Sequence, residues 1–140
     1  MKKRARVVSS AYKGLIETAH LAKQKAYAPY SRFRVGAALL TDDDTVFVGC
    51  NVENSSYSLT ICAERNAVFK AVCEGYTKFK AIAIVSDDAE LLPPCGACRQ
   101  VLSEFAPKLP LIMTTAKGKV KITSLDKLFP MPADLKKLAK

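Results

Sequence analysis

The 140-residue sequence contains no apolar run near the roughly 20 residues that a helix needs to span a bilayer, which argues against a helical membrane protein. It begins MKKRARVVSSAYKG, basic but without a long apolar stretch or a clear cleavage site, so no signal peptide is expected and the cytoplasm is the default location. Histidine is almost missing. The single one, His20, falls on the polar side of the first expected helix, far from any motif, and reads as a surface residue. Cysteine is present five times, an odd count that with no leader argues against a disulfide framework. Acidic residues are the scarcer charge, 13 against 22 Lys and Arg, for a net charge of +9. That balance admits nucleic acid as a partner. The basic residues gather at the two ends, MKKRAR and KKLAK, and no recognition motif accompanies them, so no nucleic-acid partner is expected. No internal repeat or linker divides the chain, and its length suits one domain over residues 1–140.

With 49% hydrophobic and 25% charged residues, the composition is that of a globular chain able to bury a core. Residues 9–27 have Leu15, Ile16, Ala19, Ala22 and Ala26 at helical spacing, Ser9 or Ser10 as a cap, and Pro29 as a stop. Residues 33–40 and 45–50 read as a hairpin about Thr41 to Asp44, followed by a polar loop over 51–59. A helix is expected from Ile61 or Cys62 to Glu74, capped by Thr60 and stopped by Gly75. A short apolar strand over 81–86, a helix over 95–105 and strands over 111–114 and 120–122 follow. A helical turn over 124–129 and a last helix over 132–140 complete the pattern. The order α-β-β-α-β-α-β-β-α implies an α/β fold with a mixed five-stranded sheet covered by helices.

The chemistry is concentrated around Cys95 and Cys98 in LLPPCGACRQVL. A CxxC pair serves redox exchange, a closed structural zinc site or an open catalytic one. Cys62, at the start of its own helix in TICAERNAVFKA, is the candidate third thiolate. Cys62 and Cys95 both sit where unpaired N–H groups and the helix dipole favour a thiolate. Three thiolates on one Zn²⁺ leave a fourth position open, the layout of a catalytic site. They overcompensate the metal's charge, and Arg65 is a better placed cation than Arg99 to offset this. Glu64 shares a helical face with Ala67, Val68 and Ala71, which should be buried. A buried carboxyl has a raised pKa and suits proton transfer. Cys50 stays open as a fourth ligand of a structural knuckle. Cys73, eleven residues beyond Cys62 and so about 16 Å along the helix, reads instead as a small buried hydrophobe.

Four blocks carry a closer likeness. YAPYSRFRVGAAL, GCNVENSSY, CAERNAVFKAV and PCGACRQVL, in this order, resemble the small homotetrameric cytidine deaminases among the zinc-dependent nucleoside and nucleotide deaminases. The likeness extends over about residues 10–130. Cys62 stands where transfer-RNA adenosine and deoxycytidylate deaminases have histidine, and the run Asn51, Glu53, Asn54 is missing from blasticidin deaminase.

The resemblance implies a three-layer α/β/α fold and a single zinc-dependent deaminase domain. It implies hydrolysis of cytidine and deoxycytidine to uridine and deoxyuridine with release of ammonia. Zn²⁺ would lie on Cys62, Cys95 and Cys98, with Glu64 as the proton carrier. Asn51 and Glu53 would grip the ribose, Glu53 at the 3′-hydroxyl. Phe33 would pack on base and sugar, Tyr57 would line the pocket, and backbone near Ala63 would hold the pyrimidine edge. One departure stands out. Tetrameric members carry a phenylalanine beyond the C-terminal Leu-Pro that enters a neighbour's site, whereas KLFPMPADLKKLAK has no aromatic after Pro130 and Phe129 precedes the proline. A homotetramer is still expected. The competing readings are a deaminase of another aminated nucleoside or base, and a zinc-stabilised nucleic-acid-binding module.

Overall fold

Strand parity divides the core into two halves. The structure is a computed structural model and describes residues 8–138. Its elements are α1 (Ser10–Lys23), β1 (Val35–Thr41), β2 (Val46–Cys50), α2 (Ala63–Cys73), β3 (Phe79–Ser86), α3 (Gly96–Phe105), β4 (Pro110–Thr115), β5 (Val120–Ser124) and α4 (Leu125–Leu128). The five strands form one mixed sheet in the order β2-β1-β3-β4-β5. β1 is antiparallel to both β2 and β3, β3 is parallel to β4, and β4 is antiparallel to β5. The parallel pair is bridged by α3, as parallel strands require a crossover.

Alternate side chains go to opposite faces of a strand. Val35, Ala37, Leu39, Ile82, Ile84 and Leu111 face α2 and α3, meeting Ala63, Ala67, Val68, Ala71 and Leu102. Ala38, Ala81, Ala83, Val85 and Ile112 face α1, meeting Leu15 and Ala19. The result is the expected three-layer α/β/α arrangement about a mixed five-stranded sheet. Among the described residues no helix is long and apolar enough to cross a membrane.

Several boundaries differ from the sequence expectation. α1 stops at Lys23 rather than near residue 27, well before Pro29. Lys25 and Ala26 close the last turn with bonds to the carbonyls of Ala22 and Lys23, and Tyr27 then donates to Asn51 O at 3.0 Å, leaving helical geometry to pair with a loop. α2 is capped by Cys62, not Thr60, and no side chain makes the cap bond. The expected helix over 132–140 is only a 3₁₀ turn, Leu135–Lys137, among the described residues. Leu135 and Leu138 are exposed, so no apolar face holds a longer helix there. His20 is half-buried, and burial followed by the charge of Lys23 lowers its pKa. Cys73 is exposed, not buried, because the α2 face that meets the sheet carries Ala67, Val68 and Ala71 instead. The basic run MKKRAR lies outside the described residues.

Candidate active site

The site lies at the end of the sheet where β2 and β3 finish and β1 begins. Gly36 of β1 pairs with Cys50 of β2, and Val35 with Ser86 of β3. Two features lock α2 against this end. A Cβ on Gly49 would come within 2.2 Å of Ala63 O and 2.5 Å of Ala67 N, so the first turn of α2 rests directly on β2. Asn66 Nδ2 donates to Cys50 O at 2.8 Å. The loop from Asn51 to Cys62 is woven rather than free. Val52 exchanges backbone bonds with Ile61 at 3.0 and 3.1 Å, and Glu53 N donates to Tyr27 O at 2.8 Å. Asn51 and Glu53 are thereby turned inward, 8% and 5% exposed.

The N-termini of α2 and α3 bring three thiols together. Cys62 is the N-cap of α2, Cys95 that of α3, and Cys98 is one turn into α3. Their Sγ atoms lie within 4.8 Å of one another, the one such cluster of potential metal donors among the described residues. Cys62 and Cys95 Sγ are 3.7 Å apart. Two thiolates on a tetrahedral zinc with Zn–S bonds of about 2.3 Å stand about 3.8 Å apart, so the spacing and the soft donor set both fit that metal. Cys50 is outside the cluster, which removes the closed four-cysteine knuckle as a reading.

Electrostatics favour a thiolate here. The thiol of Cys98 bonding to Cys62 and, beyond it, Arg65 and Cys95 hold the Cys62 thiol at about 5. The same contact with Cys62, then burial and the charge of Glu64, pushes Cys98 up. Arg65 Nη2 donates to Cys62 Sγ at 3.4 Å, while its Nε is buried without a partner. Arg99 is committed elsewhere: Nε donates to Pro94 O at 2.8 Å and Nη1 to Leu128 O at 3.1 Å. It fastens the CxxC loop to the end of α4 rather than to the sulfurs.

Glu64 is buried on the core-facing side of α2, and burial pushes its carboxyl up while a contact with Cys98 opposes the shift. A carboxyl that holds its proton easily therefore lies against one of the three sulfurs.

Asn51 Oδ1 accepts from Val35 N at 2.8 Å, and its Nδ2 donates to Phe33 O at 2.8 Å. Phe33 is half-buried and packs on the α2-side core. Ala63 is fully buried in the first turn of α2. Tyr57 sits in the 3₁₀ turn Tyr57–Leu59 and is exposed. Phe129 packs on the α2-side core and donates its backbone N–H to Leu125 O at 2.8 Å.

Sequence reasoning gave no place to Tyr30 and Ser31. Both donate backbone N–H groups to Glu53 Oε1, at 3.0 and 3.1 Å, and the Ser31 hydroxyl donates to Oε2. The Ser31 hydroxyl, then burial acting in opposition, then the two backbone donors leave the Glu53 carboxyl below its usual range. The one sequence signal was position: a serine two residues before Phe33, in a block already singled out.

Comparison with known proteins agrees with this geometry. Residues 9–114 match the family described as the cytidine and deoxycytidylate deaminase zinc-binding region. The chain belongs to this family. It is 51% identical over 117 residues to a cytidine deaminase of Sporosarcina psychrophila, covering 83% of this chain and 86% of that protein. Among solved structures it resembles cytidine deaminase from Burkholderia pseudomallei, with a TM-score of 0.85, 50% identity, and coverage of 87% of this chain and 98% of that one. Cytidine deaminase from Mycobacterium tuberculosis superposes with a TM-score of 0.78 at 40% identity, over 91% of this chain and all of that one. As a member of the zinc deaminase family, the chain has a cysteine-based metal site at the junction of α2 and α3.

Proposed function

We propose that the chain hydrolyses cytidine and deoxycytidine to uridine and deoxyuridine with release of ammonia, a reaction of pyrimidine salvage. The observation that carries this reading is Glu64, a buried carboxyl with a raised pKa, in contact with Cys98 of the three-thiol cluster. Cys62, Cys95 and Cys98 would hold Zn²⁺, which would supply a Lewis acid able to make water a nucleophile at neutral pH. Arg65 offsets part of the thiolate charge through its bond to Cys62 Sγ. Glu64 takes a proton from the water that attacks C4 of the pyrimidine. It delivers that proton to N3, then takes the proton of the new C4 hydroxyl and passes it to the amino group, which leaves as ammonia as the C4 carbonyl forms. Burial suits it to the task, since an exposed carboxylate would hold a proton too weakly.

The sugar end follows from what the polar groups have left to offer. An ionised carboxylate has about four lone-pair positions. Three on Glu53 are used by Tyr30 and Ser31, leaving one acceptor. The Asn51 amide keeps one N–H and one lone pair after its bonds to Phe33 and Val35. Together they fit a single hydroxyl that donates to Glu53 and accepts from Asn51. We assign it as the 3′-hydroxyl, which ribo- and deoxyribonucleosides share. The negative charge of Glu53 disfavours a phosphate beside it. Phe33 packs on base and sugar, Tyr57 lines the outer pocket, and backbone near Ala63 holds the pyrimidine edge.

We also propose a single deaminase domain over 1–140, working in the cytoplasm on a free nucleoside as a homotetramer. Two features support assembly. Tyr27, Tyr30, Val52, Tyr57 and Leu59 are exposed around the woven loop. A groove of about 800 Å³ between β2 and α2, lined by Phe47, Phe69, Cys73 and Tyr76, is left open in one subunit. Its lining does not include Cys62, Cys95 or Cys98, so it suits packing better than chemistry.

The test is ammonia release by the zinc-loaded protein given cytidine, deoxycytidine, CMP and adenosine in parallel. Turnover of the two cytosine nucleosides alone is expected. Turnover of adenosine, or of none of the four, overturns the substrate assignment. Salt-dependent polynucleotide binding that survives loss of Glu64 would instead favour a nucleic-acid-binding module.

A further inference from the structure

Ser31 joins two of the proposed substrate contacts through one hydroxyl. Its Oγ accepts from Phe33 N at 3.0 Å and donates to Glu53 Oε2. A serine hydroxyl has one hydrogen. With the acceptor side facing Phe33 N–H, that hydrogen is committed to Glu53. Ser31 N donates to the other carboxylate oxygen at 3.1 Å, so this one residue holds both oxygens. Arg32 makes the arrangement possible. Its φ of 56° is the left-handed bend that folds the loop back after Ser31, stabilised by Arg32 N donating to Ala28 O at 3.0 Å.

Resting on the assignment of Glu53 to the sugar hydroxyl, we infer that Ser31 is a positioning residue that sets substrate recognition by fixing Glu53. Oε1 already accepts from two backbone groups, so the one free acceptor is on Oε2, the oxygen that the Ser31 hydroxyl orients. Without that hydroxyl, Oε2 has two free lone pairs and no fixed direction for the substrate's hydroxyl. A recognition group held loosely loses affinity because its ordering falls on the binding step. Ser31 is itself exposed, so removing its hydroxyl empties no core volume.

The experiment compares the zinc-loaded wild type, Ser31→Ala and Ser31→Thr on cytidine and on 3′-deoxycytidine, with zinc content measured for each. For cytidine, Ser31→Ala should lower kcat/KM by about tenfold, the scale of one hydrogen bond to a charged group, mainly through KM. Ser31→Thr, which keeps the hydroxyl, should restore most of it. On 3′-deoxycytidine the alanine variant and the wild type should agree within about twofold, because the hydroxyl that Glu53 reads is gone. Equal losses on both substrates would mean that Ser31 acts on the fold, and no loss on either would mean that it does nothing; each overturns the inference. If the wild type itself uses 3′-deoxycytidine as well as cytidine, the assignment of Glu53 fails first and visibly, and the role of Ser31 fails with it.

Discussion

Glu64 and Asp87 are both carboxyls whose surroundings decide their protonation, in opposite directions. Burial dominates at Glu64 and pushes it up. Glu64→Gln keeps the shape and removes the group that can carry a proton. It should retain zinc and an undiminished Tm while losing roughly 10²–10⁴-fold in kcat, read from metal analysis, thermal melts and ammonia release. At Asp87, burial alone would raise the carboxyl, but Lys23 Nζ at 2.7 Å and Arg34 Nε at 3.0 Å outweigh it and hold the group at about 2. A folded-state pKa below the unfolded one stabilises the fold above the ordinary carboxylate range and is lost as pH falls through about 2. Asp87→Asn should therefore cost about 2 kcal/mol at pH 7, with the two melting curves converging as pH approaches 2. Glu64 was legible because three apolar neighbours at helical spacing marked its face. Asp87 was not, since its partners Lys23 on α1 and Arg34 just before β1 are 64 and 53 residues away, and nothing local points to them.

The elements were legible where apolar periodicity was strong and illegible where the chain ends a helix for tertiary reasons. β1, β2 and the core of α2 follow their patterns. α1 ends early because Tyr27 pairs with Asn51, a contact no local rule supplies. Gly49 is another such case. In sequence it is a glycine in a strand, whereas in the fold it is the floor on which Ala63 and Ala67 rest. Gly49→Ala should lift the first turn of α2, costing about 1–3 kcal/mol and weakening zinc retention together. Chelator competition alongside chemical denaturation checks this; a variant that loses stability but binds zinc normally would contradict it. The four sequence blocks named candidate residues, but not the woven loop that turns Asn51 and Glu53 inward while Val52 stays out.

For the molecule as a whole, the metal site acts as a clamp. It ties the N-terminus of α2 to that of α3, the two helices that cover one face of the sheet. Stripping zinc with a chelator should lower Tm, and adding zinc back should restore it, since a ligand bound only by the native state stabilises that state. Calorimetry with and without chelator reads the change. Assembly is the level at which the sequence says least about this chain. No aromatic follows Pro130, and Phe129 is spent on its own core.

Cys62 and Cys95 meet at 3.7 Å although they are 33 residues apart, with the whole of β3 between them. Because β3 is the central strand of the sheet, we expect it to settle between β1 and β4 before the thiols converge. The metal thus arrives at a nearly finished fold, and its free energy falls on the unfolding limb. Zinc is a brake on leaving the native state and not a guide towards it: stopped-flow kinetics should show slower unfolding in its presence and an unchanged refolding rate.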